Sequence, residues 1–199
     1  MKPSIADRML RRAVLTVALL NLAYGLFECA VALRIGSVSL FADSIDFFED
    51  TSVNLLIFLA LAWSVRARAK LGMVLAGILL VPAAAALWTA VEKFLNPAPP
   101  DPVSLSLTGL GALAVNLSCA FMLAKFREHS GSLTRAAFLS ARNDAYANLA
   151  IIGAGLVTAL LWSSIWPDLL VGVGVALLNA DAAREVWKAA REEQKAAES

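Results

Sequence analysis

"FADSIDFFEDTSVN", Phe41 to Asn54, sets Asp43, Asp46, Glu49 and Asp50 inside a segment otherwise built of Leu, Ile, Val and Phe. At the centre of a membrane-spanning helix each charge costs about 2.5 to 3.5 kcal/mol, while each Leu, Ile, Phe or Val returns about 0.3 to 0.6. The thirteen such apolar residues between Val38 and Leu61 return roughly 6 kcal/mol against roughly 10 for four ionised acids. The segment is long and apolar enough to span a bilayer, yet too acidic to face lipid. It has to turn inward, toward a polar partner, a water-filled cavity, bound cations or protons on its carboxyl groups.

The rest of the chain agrees with a spanning reading. Of 199 residues 59% are hydrophobic, and 17 Lys+Arg nearly balance 16 Asp+Glu. Apolar runs close to the roughly 20 residues that cross a bilayer lie at about 12–34, 38–64, 71–91, 103–124, 136–162 and 166–182. An all-α membrane protein with six transmembrane helices is expected. The first run is too long for the apolar region of a signal peptide, has no clear small-residue cleavage site, and leads at once into a second span, so it should stay as a helix.

Basic residues fix the orientation, because Lys and Arg in short loops are kept on the cytoplasmic side. Arg8, Arg11 and Arg12 precede span one, Arg66, Arg68 and Lys70 join spans two and three, and Lys125, Arg127 and Arg135 join four and five. Arg184, Lys188, Arg191 and Lys195 follow span six, and only Arg34 and Lys93 fall on the other side. Both termini are expected in the cytoplasm. The near-neutral charge gives no reason to expect a nucleic-acid partner. Cys29 and Cys119 lie within spans one and four, where they read as small apolar side chains and not as a disulfide framework. Pro97, Pro99, Pro100 and Pro102 mark the outer loop between spans three and four. One transport domain is expected over residues 1–185. Residues 186–199 form a polar cytoplasmic tail of high helix propensity, too short for a core of its own.

Residues four apart on a helix share a face. Asp46 and Asp50 have that spacing, with Asp43 one turn nearer the outside and Glu49 one step round from Asp50. In span five Ser140 and Asp144 repeat it, with Asn143 and Asn148 close by. If these faces meet, four oxygen groups converge near mid-membrane and outline a cation site. Arg142 lies about 200° round the helix from both Ser140 and Asp144. Its guanidinium cannot be neutralised in a protein, so it is expected to pair with an acid away from the cation, Glu49 first. Asn21, Glu28, Asn54 and Asn116 are further polar residues inside spans. Asn21 and Asn116 read as helix-packing amides, whereas Glu28 reads as a proton site or part of the outward exit.

These residues carry a resemblance. "SVSLFADSIDFFEDTSVNL" resembles the second-helix motif of the cation diffusion facilitator family, an Ala-Asp pair followed by Asp or His and, four residues later, Asp. "AAFLSARNDAYANLAII" is similar to the fifth-helix half-motif, His or Asp with an Asp four residues on. "WPDLLVGVGVALL" resembles the sixth helix with its early Asp. The resemblance runs from about residue 12 to 185. It implies a proton-coupled exporter of divalent transition metals, zinc first and Mn, Fe or Cd as alternatives. It further implies alternating access, a homodimer in the membrane, and Asp46, Asp50, Ser140 and Asp144 as metal ligands. Asp43, Glu49, Asn143, Glu28 and Arg142 then fall into a surrounding shell or proton pathway. The metal is cargo, and no resident cofactor is expected. An integral, multi-pass protein of a bacterial cytoplasmic membrane follows.

Two departures from the family pattern shape the expectations. Ser140 stands where zinc-selective members place His, and an all-oxygen site is harder, favouring Mn(II), Fe(II) or Mg(II) more than a nitrogen-containing one does. The single histidine, His129, lies in the loop between spans four and five, where it is a candidate loop contact for metal. Family members commonly continue into a small cytoplasmic domain, whereas the sequence here ends at Ser199, so a dimer is expected to be held by membrane helices. Two other readings compete: a membrane scaffold or sensor whose acids pair with Arg142 and transport nothing, and an exporter of organic cations. The second calls for aromatic residues around the acids, and little beyond Phe47, Phe48 and Tyr146 is there.

Overall fold

The computed structural model describes residues 5–60, 84, 87–124, 126 and 132–178. Every regular element among them is helical: α1 (Ile5–Ile35), α2 (Val38–Ala60), the last turns of α3 (87–95), α4 (Pro102–Ala124), α5 (Ser132–Leu160) and α6 (Trp166–Leu178). Span three lies outside the described residues except for its end, and so do the tail and the loop carrying His129.

Local chemistry sets the turns. Gly36, at φ +64°, ends α1 in the left-handed conformation that glycine adopts without a Cβ clash. The Ser37 N–H then bonds back to the Ala32 carbonyl at 3.0 Å, closing the helix end. Ser37 at once caps α2, its hydroxyl accepting the Leu40 N–H at 3.2 Å. Asp101 does the same for α4, accepting the Ser104 N–H at 2.7 Å, with Pro102 at the first helical position. Those Ser104 hydrogen bonds hold the exposed Asp101 carboxyl below its ordinary pKa.

Helices α1 and α2 pack as one antiparallel pair and α4 and α5 as another, and the pairs meet through α1 on α4 and α2 on α5. Val38, Ile165 and Leu169 form one cluster between α2 and α6, and Ala42, Val175 and Ala176 another. Helix α2 thus runs through the middle, and residues 37–45 are buried without a break. Glycines allow the close crossings. A Cβ on Gly172 of α6 would stand 2.7 Å from the Ser39 nitrogen and the Val38 carbonyl carbon, and one on Gly25 of α1 would stand 2.8 Å from the Phe47 Cβ.

Burial is reversed relative to a water-soluble bundle. Asn21, Glu28, Asp43, Asn148 and Asp168 are fully enclosed, whereas Phe121 is 77% exposed and Leu161 82%. A large apolar surface around a polar interior is what a lipid solvent selects. Arg8–Ile35 and Pro102–Ala124 combine spanning length with a nearly uncharged apolar run. Helix α2 has the length as well, but holds its four acids inside.

Candidate metal site and buried polar core

Helices α1, α2, α4, α5 and α6 supply a ladder of polar groups along the bundle axis. At the end where the α1–α2 and α5–α6 turns meet, the Asp168 carboxylate accepts the Ser37 hydroxyl at 2.6 Å, the Ser39 hydroxyl at 2.6 Å, the Val38 N–H at 2.8 Å and the Ser39 N–H at 3.2 Å. Lys93, reaching in from α3, donates to the Gly36 carbonyl, and its charge is attracted by Asp168. The ends of α1, α2, α3 and α6 are tied together here.

Further in, the Asn148 side-chain amide donates to Asp43 at 2.5 Å and accepts from Asn116 at 3.0 Å, linking α4, α5 and α2. Glu28 of α1 comes within hydrogen-bonding reach of the same Asp43 carboxyl. Tyr24, one turn before Glu28, sends its hydroxyl to the Thr108 carbonyl at 2.6 Å and packs its ring 5.2 Å from Phe47.

Deeper still are the acids with the spacing of four. Asp46 of α2 lies within electrostatic reach of Asp144 of α5, and Asp144 of Asp50 and Glu49. Asp50, 5% exposed, accepts the Asn21 amide at 3.3 Å, and Asn21 in turn accepts the Cys119 thiol at 3.4 Å. Asp46 and Asp144 are half-buried. Among the described residues no three His, Cys, Asp or Glu side chains converge to ligating distance. The carboxylates face one another across α2 and α5 without closing on a common point. Below them, Val14, Val17, Ile57, Cys119, Leu123 and Ala141 form an apolar floor.

The structure therefore places Asp46 and Asp50 of α2 within electrostatic reach of Asp144 of α5, with Asp43 and Glu28 one layer away. Asn143 sits on the exposed side of α5, and Asn148 is the enclosed amide. The side chains of Ser140 and Arg142 lie outside the described residues, as does the Glu49–Arg142 pairing that depends on them.

The description "cation efflux transmembrane domain" matches residues 14–193 of the chain. The chain belongs to the cation efflux family. It is an integral membrane protein of a transporter family that exports metal cations, and not a member of an enzyme family. Comparison with curated proteins finds no significant match. The six-helix reading and the family resemblance of the sequence both hold, and the acid-rich second and fifth helices of this cation efflux protein lie side by side.

Asn21 and Asn116, read as helix-packing amides, do hydrogen-bond between helices, and their partners are the acids and amides of the polar ladder. Cys119, read as an apolar filler, donates to Asn21. A usable signal was present for α1. Asn21 and Glu28 are seven residues apart and share its inward face with Val14, Val17 and Ala32.

Proposed function

We propose that this cation efflux protein exchanges a divalent transition metal for protons at Asp46, Asp50 and Asp144, with Ser140 as the fourth ligand. The observation that carries the reading is that Asp46 and Asp50 of α2 lie within electrostatic reach of Asp144 of α5 in the polar interior of the bundle. Carboxyl groups crowded away from water hold protons more tightly than free ones, and a divalent cation displaces those protons when it binds. Metal enters from the cytoplasmic side, where both termini lie, and draws the three carboxylates inward. Reprotonation from the far side then releases it. Asn21 supports the site by fixing the Asp50 carboxylate. Zinc is the first cargo in this reading, with Mn, Fe and Cd as alternatives. The transporter works as a homodimer joined by membrane helices in a bacterial cytoplasmic membrane.

Asp50→Ala in proteoliposomes tests the assignment. It removes one of three anionic ligands, so metal uptake should be lost while membrane insertion and the unfolding profile remain. Uptake at the wild-type rate would remove Asp50 from the site. For the cargo, Ser140→His adds a nitrogen ligand and should shift the preference toward Zn over Mn. An unchanged ranking in a binding series across Zn, Cd, Mn, Fe, Co and Ni would place residue 140 away from the ion.

A further inference from the structure

Glu28 is the most isolated charged group of the described core. It is fully enclosed, and no N–H or O–H group of another residue reaches either of its carboxyl oxygens. Its neighbour within hydrogen-bonding reach is a second acid, Asp43. Asp43 is equally enclosed. Its Oδ2 is taken by the Asn148 amide, and its Oδ1 has no donor. Three carboxyl oxygens, Glu28 Oε1 and Oε2 and Asp43 Oδ1, are thus enclosed with no donor, in a place where an unsatisfied charge costs several kcal/mol.

The groups around them do not supply what is missing. From α1, the Tyr24 hydroxyl is committed to Thr108, and Cys29 lies one residue on. From α2, the nearest other charge is Asp46, and from α5 it is Asp144, both acids. Asn148 of α5 already serves Asp43, and Asn116 of α4 serves Asn148. No described cation from any of these helices pairs with either carboxyl.

We propose that Glu28 and Asp43 form a proton-binding site distinct from the metal ligands, in which one proton is shared between the two carboxyl groups. That proton does two things at once. It removes one of two adjacent negative charges, and it turns one carboxyl into an O–H donor to the other, filling the gap that no residue fills. Asn148, held from behind by Asn116, fixes the rotamer of Asp43 so that its free oxygen stays toward Glu28. The site does not depend on which residues ligate the metal, because its proton is present with no metal bound.

Infrared spectroscopy on metal-stripped protein in liposomes tests this. At neutral pH the wild type should show, beside the quickly exchanging band of the half-buried metal-site carboxyls, a carboxylic-acid C=O band that shifts slowly in deuterated water. Glu28→Gln and Asp43→Asn should each lose it, while Asp50→Ala keeps it. A band unchanged in both dyad variants would overturn the proposal. So would loss of the band on adding Na+ or Zn2+ to Asp50→Ala at constant pH, which would make the dyad a metal-cation site. Should the dyad variants not fold, isotope labelling of the glutamate and aspartate carboxyls in the unmutated protein replaces them. A slowly exchanging band moved by the aspartate label alone would overturn the assignment equally.

Discussion

Asp168 and Glu28 are both acids with no exposed surface, yet they sit in opposite circumstances. Asp168 is surrounded by four donors from one turn of chain, and Lys93 stands nearby. Glu28 meets no donor and faces another acid. A carboxylate so fully hydrogen-bonded is part of the architecture. One with no donor has to change its protonation or its ligand to remain where it is. Within one bundle, the number of donors around a buried acid separates the clasp that holds helices together from the group free to take part in transport.

The largest effect should come from Asp168→Ala. It strips the acceptor from two hydroxyls and two backbone N–H groups at the end of α2, and it leaves buried Lys93 without its counter-charge. On the order of 3–5 kcal/mol of stability should be lost, read as the unfolding midpoint in detergent micelles. If this variant unfolds with the wild type, the clasp is decorative and the contrast with Glu28 collapses. Next is Gly172→Ala, one turn along α6 from the same clasp. Its new Cβ would press on the backbone of Val38 and Ser39, which cannot swing aside as a side chain does, so about 1–3 kcal/mol should be lost. A neutral outcome would show that α6 slides freely on α2.

The clasp and the dyad were not equally legible. Spans four and five and the acidic face of α2 follow from apolar run length and from the spacing of four at Asp46 and Asp50, both local properties of sequence. Gly36 and Ser37 carry the turn between α1 and α2 in two residues. The role of Asp168 depends on Ser37, 131 residues earlier in the chain, and no local pattern encodes that. Asn21 and Asn116 do join helices as their sequence setting suggests, but their partners were not legible. An amide in an apolar helix glues helices or supports a site with the same composition, and only its partner tells which. Asn148 and Asn143 are five residues apart on α5, and one is enclosed while the other is exposed. The helical period alone cannot choose between them until the position of α2 is known.

The smallest effect, and the sharpest test of the contrast, comes from matched amide replacements. Asp168→Asn keeps the shape but turns one acceptor into an NH2 group facing donors. If the oxygen stays with the two serine hydroxyls, the amide meets the Val38 N–H, so about 1–3 kcal/mol should be lost. Glu28→Gln keeps the shape too, but there the new NH2 faces Asp43 Oδ1, which has no donor. The amide then does what the shared proton did, without the proton, and stability should stay within about 1 kcal/mol of wild type. The two replacements remove the same chemical group from equally buried positions, so burial alone predicts equal losses. Thermal unfolding of the pair in the same micelles decides the matter. Equal losses would mean that Glu28 has partners equivalent to those of Asp168, and the distinction between clasp and proton site would have to be abandoned.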